Sequence, residues 1–150
     1  MKISIITVSW NSQETIKDTI DSVLSQTYQN IEYIIIDGAS IDGTVKIVQS
    51  YGDKITKFVS EPDKGLYDAM NKGVALATGN IIGMLNSDDL YIDKFAIEKV
   101  VKEFSEKQID SVYADLVYVK SENLDKTVRY YDSSKFNLLK FAYGWMPAHP

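Results

Sequence analysis

The chain has 150 residues, 45% hydrophobic and 25% charged, with ten Tyr, one His and no Cys; that length suits one domain with an ordinary core. Without thiols there is neither a disulfide framework nor a thiolate metal site, and the lone His149 cannot build a multi-histidine zinc centre, so any metal must be oxygen-ligated, Mg²⁺ or Mn²⁺. A net charge of −5 with no basic block argues against nucleic acid as a partner, and with no run near the roughly 18 apolar residues of a membrane span and an N-terminus too short and β-rich for a signal peptide, a cytoplasmic location is expected.

Ile3 to Val8 form a compact apolar strand interrupted only by small hydroxyls. Asn11 and Glu14 have capping-box spacing, and Ile16, Ile20, Val23 and Leu24 recur on one helical face, which predicts a helix from Asn11. After a polar turn, Glu32 to Ile36 make a second strand; its Tyr33-Ile34-Ile35-Ile36 is too uniformly apolar for a wet face and belongs in the middle of a parallel sheet. The turn from Asp37 to Thr44 holds two glycines, and Asp42 can cap a helix carrying Ile47, Val48 and Tyr51. A third strand, Ile55 to Ser60, leads through Glu61-Pro62-Asp63-Lys64-Gly65 to a helix from about Leu66 to Ala77, with Gly79 placed as its C-cap. Ile81 to Leu85 read as a buried strand. Asp93 caps a helix with Ile97, Val100, Val101 and Phe104 on one face and an exposed Glu98/Lys102 pair. Val112 to Val119 and Thr127 to Tyr131 are strands around a polar turn, and Phe136 to Phe141 a further helix. This order predicts an α/β fold, a mostly parallel central sheet with helices on both faces, in a single domain over residues 1–150. The apolar, proline-bounded end from Gly144 to Pro150 reads as a chain cut in mid-structure.

In such sheets ligands collect where the strands end. Three polar clusters share that edge: Thr7-Val8-Ser9-Trp10-Asn11, Asp37 through Thr44, and Asn86-Ser87-Asp88-Asp89. Adjacent carboxylates after an apolar strand repel one another and lose hydration, which a divalent cation shared with a phosphate would offset; the alternative is Asp as turn former or cap. If strand alternation continues through the cap, Asn86 and Asp88 point the same way, Asn86 reaching a ribose hydroxyl and Asp88 the metal, with Asp89 turned aside or helping through water. Thr7, Ser9, Trp10 and Asn11 could grip a base and ribose together with Asp37, which can accept from a base N–H. Strand-edge hydroxyl bonding is the rival reading for Thr7 and Ser9, and core or rim packing is favoured over base stacking for Trp10. Asn71 is a poor helix former without a cap role, which marks it as functional, whereas Lys64 and Lys72 read first as solvated. No Gly-x-Gly-x-x-Gly or Walker-type loop is present, so phosphates must be held by other means.

The Ile-Ile-Thr7-Val-Ser-Trp-Asn11 start, the Asp37-Gly-Ala-Ser-Ile-Asp42-Gly-Thr turn, the Asp63-Lys-Gly-Leu-Tyr-Asp-Ala-Met-Asn71-Lys-Gly stretch and Leu85-Asn-Ser-Asp88-Asp89 resemble family 2 glycosyltransferases of the GT-A fold, a Rossmann-like architecture. The resemblance covers most of residues 3 to 119. It implies an inverting enzyme that uses a nucleotide-activated sugar, usually a UDP-sugar, with Mg²⁺ or Mn²⁺ and a saccharide or lipid-linked saccharide acceptor. Surface polysaccharide assembly at the inner face of a bacterial membrane is implied too. By position, Thr7 and Asp37 would contact the base, and Lys64, Asn71 and Lys72 would lie near the nucleotide. Asp88 falls on the second acid of the family's Asp-x-Asp motif, whose first acid is Asn86 here. Asp115 resembles a recurrent family element but arrives too early to be the base, and His149 resembles a His just before the acceptor region. The catalytic base is therefore expected beyond Pro150. A receiver-like phosphate-signalling domain, a sugar nucleotidyltransferase and a non-catalytic nucleotide-binding fragment are the rivals; the first two lack their expected Lys or basic Gly-rich loop.

Overall fold

The computed structural model of the chain describes residues 1–120 and 122–144; the expectations placed on His149 and the segment ending at Pro150 lie outside them. The chain divides into two compact units, Met1–Lys107 and Gln108–Pro150.

In the first unit the elements run β1 (Ile3–Ser9), α1 (Ile16–Leu24), β2 (Ile31–Asp37), α2 (Thr44–Ser50), β3 (Lys57–Ser60), α3 (Leu66–Leu76), β4 (Ile81–Met84) and α4 (Ala96–Glu106). The four strands form one sheet in the order β3-β2-β1-β4, all parallel. β1 and β2, central and paired from Ile3 with Ile31 to Ser9 with Asp37, are buried along almost their whole length. Their alternation feeds two cores. Ile3, Ile5, Tyr33 and Ile35 pack with Ile16, Ile20 and Val23 of α1, Val48 of α2 and Ile97 and Val101 of α4. Ile6, Val8, Ile34 and Ile36 pack with Ala69 of α3. Helices thus cover both faces, as the uniformly apolar second strand requires. No helix among the described residues is long and apolar enough to cross a membrane.

Several local expectations are corrected. Asn11 does not cap α1: its φ is 49°, its side-chain oxygen accepts from the Ile41 N–H at 3.0 Å, and the helix begins at Ile16 after Thr15. Gly79 is not a left-handed C-cap, since α3 ends at an extended Ala77. Gly79 is needed for close approach, because a Cβ there would stand 2.6 Å from the Ser4 backbone nitrogen. Glu98 accepts from the Thr27 hydroxyl at 2.9 Å instead of pairing with Lys102, which faces Glu106 at 3.9 Å. Asp42 does serve the start of α2, accepting from the Thr44 N–H at 2.9 Å.

The second unit holds β5 (Leu116–Lys120), β6 (Asn123–Tyr131) and α5 (Leu138–Ala142). The last two strands pair antiparallel in a sheet of their own, so the first is shorter and the second longer than their sequence reading, and neither extends the parallel sheet. Arg129 lies over the Tyr118 ring at 5.7 Å. Asp115, just before β5, accepts from the Ser133 N–H at 2.9 Å and hydroxyl at 2.8 Å and from the Tyr130 hydroxyl. The Tyr130 bond first, then those of Ser133, hold its carboxyl below the usual range, and it clasps the start of β5 to the end of β6.

Candidate functional site

Parallel strands deliver their carboxyl ends to one edge, and register decides which side chains meet there. Ser9 pairs with Asp37 and Asp37 with Ser60, so two hydroxyls flank one carboxylate. Ser9 Oγ donates to Asp37 Oδ1 at 3.1 Å and Ser60 Oγ to Oδ2 at 2.7 Å. Ser40 adds its N–H to Oδ2 at 2.9 Å and its hydroxyl to Oδ1 at 2.5 Å. Asp37 is 0% exposed yet has four donors and no cation among these partners, which is how a buried carboxylate is made tolerable without an ion pair.

Above this edge lies an open cleft of about 640 Å³ lined by residues of the first unit, a size typical of small-molecule sites. Ser9, Trp10, Asn86 and Asp88 line it. Trp10 is 70% exposed, which is rim presentation and not core packing. Pro62, Asp63, Gly65 and Leu66 line the cleft as well, and Gly38 lets Asp63 and Trp10 come close: a Cβ there would stand 2.6 Å from Asp63 Oδ2 and 3.4 Å from Trp10 Cδ1. Asp63 Oδ1 accepts from the Gly65 N–H at 2.8 Å. Gly65, at φ 106°, adopts a backbone only glycine takes readily and opens α3.

At the end of β4, Ser87 and Ser12 share a hydrogen bond between hydroxyls at 2.8 Å, fixing the polar cap to the β1–α1 loop. The Asn86 amide donates to Asp89 Oδ2 at 3.2 Å. Asn86 Oδ1 is buried without a hydrogen-bond partner among the described residues; such an oxygen costs free energy until a donor arrives. Asp88 is exposed in the cleft. Among the described residues the only charged side chains lining it are Asp63 and Asp88, and no cluster of three or more metal-ligating groups is built. That donor set fits Mg²⁺ or Mn²⁺ taken with one or two carboxylates and completed by phosphate oxygens and water, and does not fit an all-protein cage. Asp88 would hold the ion, and Asp89 stands behind it, bound to Asn86.

Other expected site residues are elsewhere. Thr7 is fully buried two residues deeper in β1, its hydroxyl 3.1 Å from that of Tyr33; Val8 lines the cleft in its place. Asn71 is an exposed residue of α3 outside the lining, and Lys64 is exposed. Lys72 braces the cleft wall from behind, pairing with Glu61 at 2.8 Å and Asp68 at 3.4 Å and donating to the Pro62 carbonyl at 3.1 Å. Sequence reading passed over Asp63, although it stands within the quoted Asp63-Lys64-Gly65 turn. The signal was there: an acid immediately before a lysine and a glycine at the entry of a helix, on the strand-end edge.

A four-stranded parallel sheet with helices on both faces and a cleft on its carboxyl edge, beside the Asn-Ser-Asp-Asp stretch that follows β4, makes an α/β domain that matches solved glycosyltransferases of the GT-A type. The chain belongs to glycosyl transferase family 2, whose family model matches residues 4–146. An uncharacterized glycosyltransferase of Mycobacterium tuberculosis is 37% identical over 106 residues, 70% of this chain and 40% of that protein. Chondroitin synthase of Escherichia coli is 30% identical over 145 residues, 95% of this chain and 19% of the synthase. Among solved structures, S. aureus TarS 1-349 in complex with UDP-GlcNAc superposes with a TM-score of 0.64 at 26% identity, covering 71% of this chain and 32% of that one. The chain therefore spans two fifths or less of each of these proteins.

Proposed function

We propose that this chain is the donor-binding part of a glycosyltransferase that moves a sugar from a nucleotide diphosphate, a UDP-sugar, to an acceptor hydroxyl with inversion, in the assembly of a bacterial surface polysaccharide. The observation that carries the reading is the cleft itself, lined together by an exposed indole, by Asn86, whose buried amide oxygen has no partner among the described residues, and by the exposed Asp88. Support also comes from the UDP-GlcNAc complex of TarS and from chondroitin synthase, relatives whose names carry a nucleotide sugar and a polysaccharide.

In this reading uracil stacks on Trp10, and its imino N–H is received at the Ser9–Asp37 pair, where the 3.1 Å Ser9 bond is the longest of the four to Asp37 and the first to yield. A ribose hydroxyl donates to Asn86 Oδ1 once the amide turns that buried oxygen toward the cleft. The diphosphate then falls toward Asp88, where a divalent ion held by that carboxylate supplies Lewis-acid stabilisation of the leaving group. The acceptor oxygen bonds to the anomeric carbon as the carbon–oxygen bond to the diphosphate breaks, and its proton passes to a general base; none of the described carboxylates is assigned that role.

Titration calorimetry with UDP tests the reading. Binding is expected to be at least about tenfold tighter with Mn²⁺ than with chelator, which corresponds to about 1.4 kcal/mol. Asp88→Ala should remove that difference while leaving the circular dichroism unchanged. Equal affinity with and without chelator for the parent protein removes the metal role; no UDP binding under either condition removes the donor reading.

A further inference from the structure

Asn11 lies beside the cleft without lining it, in a backbone conformation that needs a reason. Its φ of 49° puts a residue with a Cβ in the left-handed region, which Asn tolerates better than most but still at a cost. Two hydrogen bonds hold it there. Its main-chain N–H donates to Ser40 Oγ at 2.8 Å, and its side-chain Oδ1 accepts from the Ile41 N–H at 3.0 Å. Ser40 is the residue that bonds Asp37 twice, through its N–H at 2.9 Å and its hydroxyl at 2.5 Å. The turn between them contains a second left-handed residue, Ala39 at φ 59°, so the stretch from Asp37 to Ile41 folds sharply back. Asn11 is the side chain from the β1–α1 loop that grips the far side of that turn.

We propose that Asn11 is a positioning residue for nucleotide recognition: from its left-handed backbone it locks Ser40 and Ile41, and through Ser40 it fixes the Asp37 carboxylate that reads the base. This rests on the uridine reading of the cleft. It differs from a direct nucleotide contact because the effect must travel through Ser40, and it differs from a purely architectural brace because it must show in base selectivity. Uracil presents an N–H donor at N3 where cytosine presents an acceptor, so a correctly placed carboxylate favours UDP over CDP.

The test is a double-mutant cycle read in dissociation constants for UDP and CDP, with Mn²⁺, on the parent protein, Asn11→Gly, Ser40→Ala and the combination. Glycine takes φ near 49° without strain and keeps the main-chain N–H to Ser40, so Asn11→Gly removes only the side-chain bond to Ile41, which frees the turn that carries the adjacent Ser40, and should fold; thermal unfolding of each variant fixes a temperature at which all four are native. Asn11→Gly is expected to weaken UDP about fivefold and to lower the UDP-to-CDP preference by a similar factor. The combined variant should lose less than the product of the two single penalties, as expected for residues that act on the same turn. Penalties that multiply, as for two independent ligand contacts, or an Asn11→Gly variant whose UDP-to-CDP preference matches the parent, overturn the proposal while leaving the donor reading standing. A parent protein that binds UDP no better than CDP takes down the uridine reading and this proposal together.

Discussion

Two carboxylates are buried at opposite ends of β2 and are stabilised by different means. Glu32, 3% exposed, accepts from Ser4 Oγ at 2.6 Å, the Thr78 N–H at 2.7 Å and hydroxyl at 2.8 Å and Lys2 Nζ at 2.9 Å, with Lys57 Nζ at 3.4 Å. Burial alone would raise its pKa, but the bonds from Ser4, Thr78 and Lys2 outweigh that and hold it far below the usual carboxylate range. A depressed folded-state pKa means the stabilisation is complete above the unfolded value, about 4.3, and is lost as pH falls below it toward the folded value. Glu32→Gln should therefore lower stability at pH 7, by on the order of 2 kcal/mol, and flatten the acid limb of the unfolding midpoint against pH; a parallel, merely shifted limb would contradict this. None of these partners was legible, since residues 2, 4, 57 and 78 meet Glu32 only in the assembled sheet. The placement of Asp37 and Asp88 on the strand-end edge was legible because apolar β2 ends at Asp37 and Asp88 follows shortly after apolar β4. Thr7 misled because it shares a strand face with Ser9 but lies two residues deeper in β1, and only the end of the strand reaches the cleft.

At the scale of elements, α3 shows how a sequence pattern can be right about extent and silent about contact. Its span, Leu66–Leu76, is within a residue of the reading from its apolar spacing. The contact point is a glycine in mid-helix: a Cβ on Gly73 would stand 2.4 Å from Ile6 Cγ2 and 3.5 Å from Ile36 Cγ1. Helix propensity alone predicts that Gly73→Ala stabilises by about 1 kcal/mol, whereas overpacking a filled core costs about 1–3 kcal/mol. Both isoleucines are at most 1% exposed, so they cannot yield into solvent, and a net loss in denaturant midpoint is expected; a gain would mean that α3 lifts off β1 easily. The start of α1 was misplaced for a related reason. Asn11 has the chemistry of a cap, and a tertiary partner 30 residues away in sequence claims its oxygen first. Likewise β5 and β6 read as strands, but whether they would join the parallel sheet depended on pairing that residue types do not encode.

At the scale of the whole molecule, stability should be uneven. β1 and β2 are buried on both faces and paired on both edges, whereas β6 is exposed along most of its length in a two-stranded sheet, an arrangement of marginal independent stability. Amide exchange is expected to be slowest at Ile34 to Ile36 and faster by orders of magnitude across β5 and β6; equal protection in both sheets would refute this grading. The charge of the cleft has a separate consequence. Its only charged lining groups among the described residues are Asp63 and Asp88, with Asp37 behind them, on a chain of net charge −5. A nucleotide approaching without a metal ion meets like charge, so added salt should shield the repulsion and strengthen binding, given a screening length of about 8 Å at physiological ionic strength. A divalent ion cancels the charge of the two lining carboxylates, so with the ion in place that repulsion, and the gain in affinity from added salt, should largely disappear. The slope of UDP affinity against ionic strength thus flattens with the metal, and one salt series with and without chelator reports the charge of the cleft directly.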